Sequence, residues 1–292
     1  MEKLAGFDTA ATPGAPDSQS QPWHARLALG FADDHGTTRL VDRRHSGPLR
    51  VQKPLYPESP AVCHAIVVHP PGGIVGGDQL SVAVEVGAHA GAFLSSPGAA
   101  KWYRAGGRIS RQQLTMNVGA HASLEWMPQE TILFDAAEVE LDSEISLAAH
   151  ATYIGCEILC FGRTASGESF RSGGVTQRNR IRREGKLIWF EQGRLQAGTA
   201  AMSSPLGLAG NSVCATLIAA GKQVPAALLQ AIRDELEPLA PGFGITQLKH
   251  VLVARYLGNR SESARHAMLT AWRHLRPILI GHPGVTPRIW NT

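Results

Sequence analysis

The sequence predicts a mainly β fold with a small helical part near its C-terminal end, and three observations carry that prediction. The chain holds 31 glycines and 18 prolines among 292 residues, a balance that suits a loop-rich β protein better than a helical bundle. From Trp23 to about Gln196 the apolar residues alternate in short runs, each broken by Gly, Pro or Asn. Helical periodicity begins only at Pro225.

Residues 1 to 22 are rich in Ala, Pro, Ser, Gln and Gly, lack apolar periodicity, and are expected to form a disordered extension. The first strand is expected at Trp23 to Phe31, which alternates as WHARLALGF, and a buried strand at Ala61 to Val68. Further strands are read at Leu80 to Val86, Gln113 to Val118, Ser123 to Met127, Val139 to Leu147, Tyr153 to Phe161, Arg178 to Arg182 and Leu187 to Gln192. Pro225 suits a first helical turn, after which Leu228, Leu229, Ile232, Leu236 and Leu239 share one face. A second helix starts near Ser261, turns Ala264, Met268, Trp272 and Leu275 inward, and is expected to break at Pro277. A strand from His250 to Leu257 lies between them. No strict short repeat is evident, and the glycine-punctuated spacing fits a stacked or a sandwiched β architecture. The reading is one domain over 23–292, with a β body to about 220 and a helical part over about 225–292.

At 43% hydrophobic residues the chain can bury a sizeable core. A formal charge of +4 is mild, and its basic clusters, Arg39 to Arg50 and Arg178 to Arg183, read as solvated faces. No nucleic-acid partner is expected. Cys63, Cys156, Cys160 and Cys214 make no disulfide framework in a chain this long. No basic segment leads into an apolar run at the start, and no window approaches 18 uncharged apolar residues, so neither a signal peptide nor a membrane span is expected. A cytoplasmic location is the expectation.

The most distinctive stretch is His69 to Asp78, HPPGGIVGGD. Pro70 and Pro71 fix the backbone, and Gly72, Gly73, Gly76 and Gly77 then free it, as in a tight corner that approaches other backbone closely. A phosphate loop would need Lys and Ser or Thr after its last glycine, where this chain has Asp78. The glycine spacing also misses the dinucleotide fingerprint. A sharp structural turn with a surface aspartate remains the plainer reading.

Five stretches in order, HPPGGIVGGDQL (His69 to Leu80), SSPGAAKWYR (Ser95 to Arg104), LEWMPQETILF (Leu124 to Phe134), GCEILCFGR (Gly155 to Arg163) and PRIWNT (Pro287 to Thr292), closely resemble the urease accessory protein D family, called UreD or UreH. The likeness runs from about Trp23 to the C-terminus. It departs from the family in its long N-terminal extension and in Ala99 and Ala100, where polar residues are common. The resemblance implies a superhelical stack of β strands with a small helical C-terminal part. It implies a urease maturation scaffold, not an enzyme, that binds apo-urease and the partners UreF and UreG, with a dimer within that complex as one arrangement. UreG would supply GTP hydrolysis. Nickel would pass in transit, with no tightly bound cofactor, along an interior route lined by acidic groups; the matching positions are Asp78, Glu157 and Glu191.

The residues themselves leave alternatives open. Nickel accepts imidazole, thiolate and carboxylate, yet no pair among the twelve histidines forms a chelating motif. A lone histidine such as His64 or His69 reads as a hydrogen-bonded structural residue. On a strand Cys156, Ile158 and Cys160 face one side, Glu157 and Leu159 the other; the two thiols lie about 13 Å apart at ~3.3 Å per residue and cannot share an ion. Glu157 and Glu191 each interrupt an apolar strand, which is costly unless they are paired or wet. Either they line a wet passage, or they pair with an arginine such as Arg163 or Arg194. Lys101, Trp102, Tyr103 and Arg104 form a basic-aromatic cluster that suits docking, or a solvated loop with one buried ring. Pro287, Arg288, Ile289 and Trp290 read as a closing motif tied against the body and, with the helices, as a partner surface. No G-x-S-x-G or H-E-x-x-H motif is present. Two rival functions stand beside the scaffold: a metal-dependent hydrolase using Asp78, Glu130 and His69, and an assembly scaffold that never meets nickel.

Overall fold

Alternating strands need a partner for their apolar face, and in this chain they find it by winding into a stack. The computed structural model describes residues 22–291; the expected extension over residues 1 to 22 lies outside the described residues except for Pro22. The described chain enters through an antiparallel hairpin, β1 (His24–Asp34) and β2 (Thr37–Ser46), turned by His35 and Gly36 at positive φ. Short β3 (Arg50–Val51) then pairs with β4 (Val62–Val68).

From β4 the path repeats. The glycine corner, with a bridge at Ile74, leads to β5 (Gln79–Val86). The next turn is β6 (Gly91–Ser95), β7 (Ala100–Trp102) and β8 (Ser110–Val118). The one after is β9 (Ser123–Trp126), β10 (Thr131–Leu133) and β11 (Glu138–Leu147), and the last joins β12 (Thr152–Phe161) to β13 (Gly174–Arg183). Each strand lies parallel to its equivalents in the neighbouring turns. Val62, Gly91, Ser123 and Thr152 stand in one row. Ile74, Trp102, Leu133 and Phe161 stand in another, all buried. The stacked, superhelical architecture that the resemblance implied is present.

At the far end the coil gives way to antiparallel strands. β14 (Lys186–Gln196) folds back on β13, and a short helix, α1 (Ala200–Ser203), leads to β15 (Val213–Ala220), which pairs with β12. Then come α2 (Ala226–Leu236), β16 (Phe243–Gln247), β17 (Leu252–Gly258) and α3 (Ser261–Leu279), with β15, β17 and β16 side by side. The result is a seven-stranded sheet from β14 to β2 facing a second sheet that runs from β16 to β3. α1 and β16 had no clear periodic signal in the sequence. Pro277 does not break α3, which continues to Leu279; so near the helix end its missing N–H costs a single bond, and Leu279 stays buried.

Two cores result. One fills the space between the sheets, with Leu27, Val84, Met116 and Ile145. The other lies between the second sheet and the helices, where Cys156, Ile158 and Leu217 meet Ile232, Met268 and Trp272. Strand alternation on β12 divides as expected, with Leu159 in the first core and Cys156, Ile158 and Cys160 in the second.

A buried charge cluster fastens α3 to the stack. Arg276, fully buried, donates to Glu125 on β9 at 3.0 Å and to Glu58 at 2.6 Å. Trp272 Nε1 also donates to Glu125 at 2.6 Å, and His64 shares Glu58 at 2.6 Å. Burial pushes Glu125 up to about 7 against the pull of Arg276. Burial would raise Glu58 as well, but the hydrogen bonds from His64 and Arg276 outweigh it and hold that carboxyl below its ordinary value. Removing the cation alone leaves carboxylates buried without compensation, so Arg276→Met should cost about 3–5 kcal/mol. Urea unfolding of the variant checks this, and a loss within about 1 kcal/mol would mean that the cluster behaves like a surface pair.

Candidate functional site

The glycine corner is shaped by the turn stacked on it. A Cβ at Gly76 would run into the carbonyl of Ala105, and one at Gly73 into the ring of Tyr103. Tyr103 donates its hydroxyl to the Gly72 carbonyl at 2.9 Å and stands edge-on to Phe134. Asp78 closes the corner from inside. It is 2% exposed, and its two carboxylate oxygens accept the N–H groups of Trp23 at 2.9 Å and Val75 at 3.0 Å. It is therefore neither a surface aspartate nor a wall of the internal space, and the structure keeps it apart from Glu157 and Glu191.

Behind the corner lies a cavity of about 610 Å³ between the two sheets. One end is walled by His69, the Pro71 to Ile74 backbone and the Ser96 to Lys101 turn. The Nε2 of His69 is buried there without a hydrogen-bond partner among the described residues. Burial lowers its imidazole, opposed by the charge of Asp78 and the Pro71 carbonyl.

The other end is polar. Glu157 points inward from β12 and accepts a hydrogen bond from Gln177 of β13 at 2.5 Å. It sits deep in the fold but keeps some accessible surface because it faces the void. Burial pushes its carboxyl up to about 7; the Gln177 bond pulls against that, and the charge of Glu191 adds to it. Glu191 reaches the cavity from β14 and pairs with Arg255 of β17 at 2.5 Å, joining the two sheets. Ser143 and Asn179 line the same end and hydrogen-bond each other. Neither arginine weighed from the sequence serves these carboxylates, since Arg163 pairs with Glu168 and Arg194 bonds Gln196. Gln177, Asn179 and Arg255 were missed, although alternation in TQRNRI puts the first two on the inward face with Ile181.

The surface candidates divide. Lys101 and Arg104 are exposed and Tyr103 is half-buried. Trp102 is 1% exposed, part of an interior row, and is corrected from docking residue to core. Trp290 donates Nε1 to Ser95 Oγ at 2.8 Å and packs near Phe93, so the tail is tied down as expected, with Arg288 exposed beside it. The hydrolase set does not assemble: Asp78 holds backbone amides, Glu130 is taken by Arg265, and among the described residues no three His, Cys, Asp or Glu side chains form a group able to hold a metal. Also among them, no helix is long and apolar enough to cross a membrane.

A stacked β coil with this corner and this interior can be set beside known proteins. The family model described as UreD urease accessory protein matches residues 24–291. The chain belongs to that family. It is 62% identical over 270 residues to the urease accessory protein UreD of Janthinobacterium sp. (strain Marseille), covering 92% of this chain and 91% of the relative. It is 52% identical over 278 residues to the UreD of Nitrosospira multiformis, covering 94% of this chain and all of the relative. Membership makes the chain an accessory protein for urease with a role in urease maturation, not an enzyme in its own right.

Two stability outcomes follow from this geometry. Gly76→Ala should destabilise by at least about 1–3 kcal/mol through backbone overlap, whereas Gly72→Ala, whose Cβ meets nothing closer than the Tyr103 hydroxyl at 3.5 Å, should be tolerated; equal melting temperatures would refute the packing account. Glu157 is raised on folding from its ordinary 4.5 to about 7, so the folded state holds the extra proton across that window. The cost of its charge is absent below the window and complete above it. Glu157→Gln should therefore gain stability relative to the parent as pH rises from 5 to 8, as read by thermal melts; a pH-independent difference would contradict the raised carboxyl.

Proposed function

We propose that the chain acts in the cytoplasm as a scaffold of urease maturation that passes nickel through its interior, with Glu157 and Glu191 as transient ligands. The observation that carries this reading is the pair of inward carboxylates at the polar end of the cavity, one of which, Glu157, is pushed up to about 7 by its burial. A passing dication would take the place of its proton, and the Gln177 bond holds the carboxylate in position. Single oxygen ligands that exchange freely suit a route whose ion must leave again. His69, with its free buried nitrogen at the corner end, is a third contact that the ion would meet. Asp78 is left out of the route because both of its oxygens are engaged.

The partners of this scaffold are proposed to be apo-urease, UreF and the GTPase UreG. Lys101, Arg104, Arg288 and the outer helical face offer exposed surface for them. Whether a dimer forms within that complex does not bear on the route. Arg255 favours a second reading, since it already neutralises Glu191 and would make that carboxylate a strut between sheets. An assembly scaffold that never meets nickel follows if Glu157 is structural as well.

Urease activation in cells that carry the remaining machinery separates the two, using Glu157→Gln, Glu191→Gln and the double variant. The cargo reading expects the complex to be recovered intact while urease holds a small fraction of its normal nickel. Full nickel loading in the double variant would leave only the assembly role.

A further inference from the structure

The turns that lead into β6, β9 and β12 carry the same residue at the same place. Val86 to Ala90 reads VGAHA, Val118 to Ala122 reads VGAHA, and Leu147 to Ala151 reads LAAHA. The three histidines, His89, His121 and His150, adopt positive φ of 64, 57 and 59°, and all are exposed. Backbone bonds keep the turns in step, from His89 N–H to the Ala120 carbonyl at 3.0 Å and from His121 N–H to the Ala149 carbonyl at 3.1 Å. As a result the imidazoles stack. His89 and His121 lie 5.2 Å apart and 5° from parallel, and His121 and His150 lie 4.9 Å apart and 21° from parallel. Among the described residues no side chain hydrogen-bonds or ion-pairs with any of the three rings.

Histidine tolerates a left-handed turn, but Asn, Asp or Gly would serve the backbone as well. What three stacked imidazoles add is a column of unengaged ring nitrogens at strand spacing. We propose that this ladder binds one divalent ion of the nickel, copper and zinc group on the outside of the stack, through two neighbouring imidazoles with water completing the shell. Imidazole nitrogens bind such ions at ~2.0–2.1 Å, so two of them on adjacent positions of one ion stand closer together than the ring centroids here. Exposed side chains reach that arrangement by swinging towards each other about their χ angles. His121 belongs to both neighbouring pairs. Arg183 donates to the carbonyls of Ala148 at 3.3 Å and Ala151 at 3.0 Å, which places a cation against the His150 turn. The His89–His121 pair is therefore the seat of the ion. None of these residues lines the internal cavity, so the site stands independently of the proposed route.

The test uses the untagged full-length chain carrying Glu157→Gln and Glu191→Gln, which removes both cavity carboxylates from consideration. Nickel chloride is titrated by equilibrium dialysis, and copper(II) is bound at one equivalent for electron paramagnetic resonance. The expected result is one saturable nickel ion and a copper spectrum split by two nitrogens. Both should be lost in His121→Asn and in His89→Asn, where Asn keeps the left-handed turn, and both should persist in His150→Asn. Unchanged nickel binding by His121→Asn, or a copper spectrum that shows only oxygen ligands, would overturn the proposal.

Discussion

Register between successive turns is the constraint on which the rest of the structure depends. A parallel coil satisfies its backbone only if each turn presents its N–H and C=O groups opposite those of the next. The row of Ile74, Trp102, Leu133 and Phe161 shows that condition met on the third, shortest face, where a turn offers a single bridge or at most three paired residues. It also explains the glycine corner. The chain there lies against the backbone of the next turn, and at Gly76 there is no room for a side chain.

The coil cannot end as it runs, because its last turn would expose both ladder edges and the interior. The antiparallel strands β14 to β17 close it, and where they replace the regular turns the apolar filling thins and polar side chains face inward. Two buried carboxylates then have different fates. Glu125 is raised by burial but is surrounded by a guanidinium and an indole N–H, a partnership that fastens the last helix. Among the described residues, Glu157 has one amide donor and no cation at hydrogen-bonding distance. The first arrangement is complete in itself. The second is balanced near neutrality and has room beside it for another charge.

Much of this was legible because strands of period two reveal their faces. The opposite orientation of Cys156 and Glu157, the burial of Met268 and Trp272, and the anchored tail at Trp290 all follow from periodicity or composition. Trp102 was misread because a short strand between two corners has too few residues to show alternation. Asp78 could not be placed because one of its donors, Trp23, lies 55 residues away and is brought to it only by the fold, although the other, Val75, stands three residues back in the same corner. The partner of Glu191 lies 64 residues away on another sheet, beyond any local pattern. Arg276 did leave a trace: it follows Trp272 by four residues on an otherwise apolar face, where a buried cation requires a buried anion. The stacking repeat does leave a mark in the sequence, in three short histidine turns rather than in the strands between them, but five-residue matches about 30 residues apart do not stand out as a strict repeat.

The most direct test of an internal cargo route is where the ion sits. Crystals of the chain with its assembly partners, soaked in nickel and measured on both sides of the nickel absorption edge, would locate it by anomalous difference. The account predicts a peak inside the cavity within bonding distance of Glu157, absent in Glu157→Gln. A cavity without nickel, while urease in the same preparation carries its metal, would contradict it.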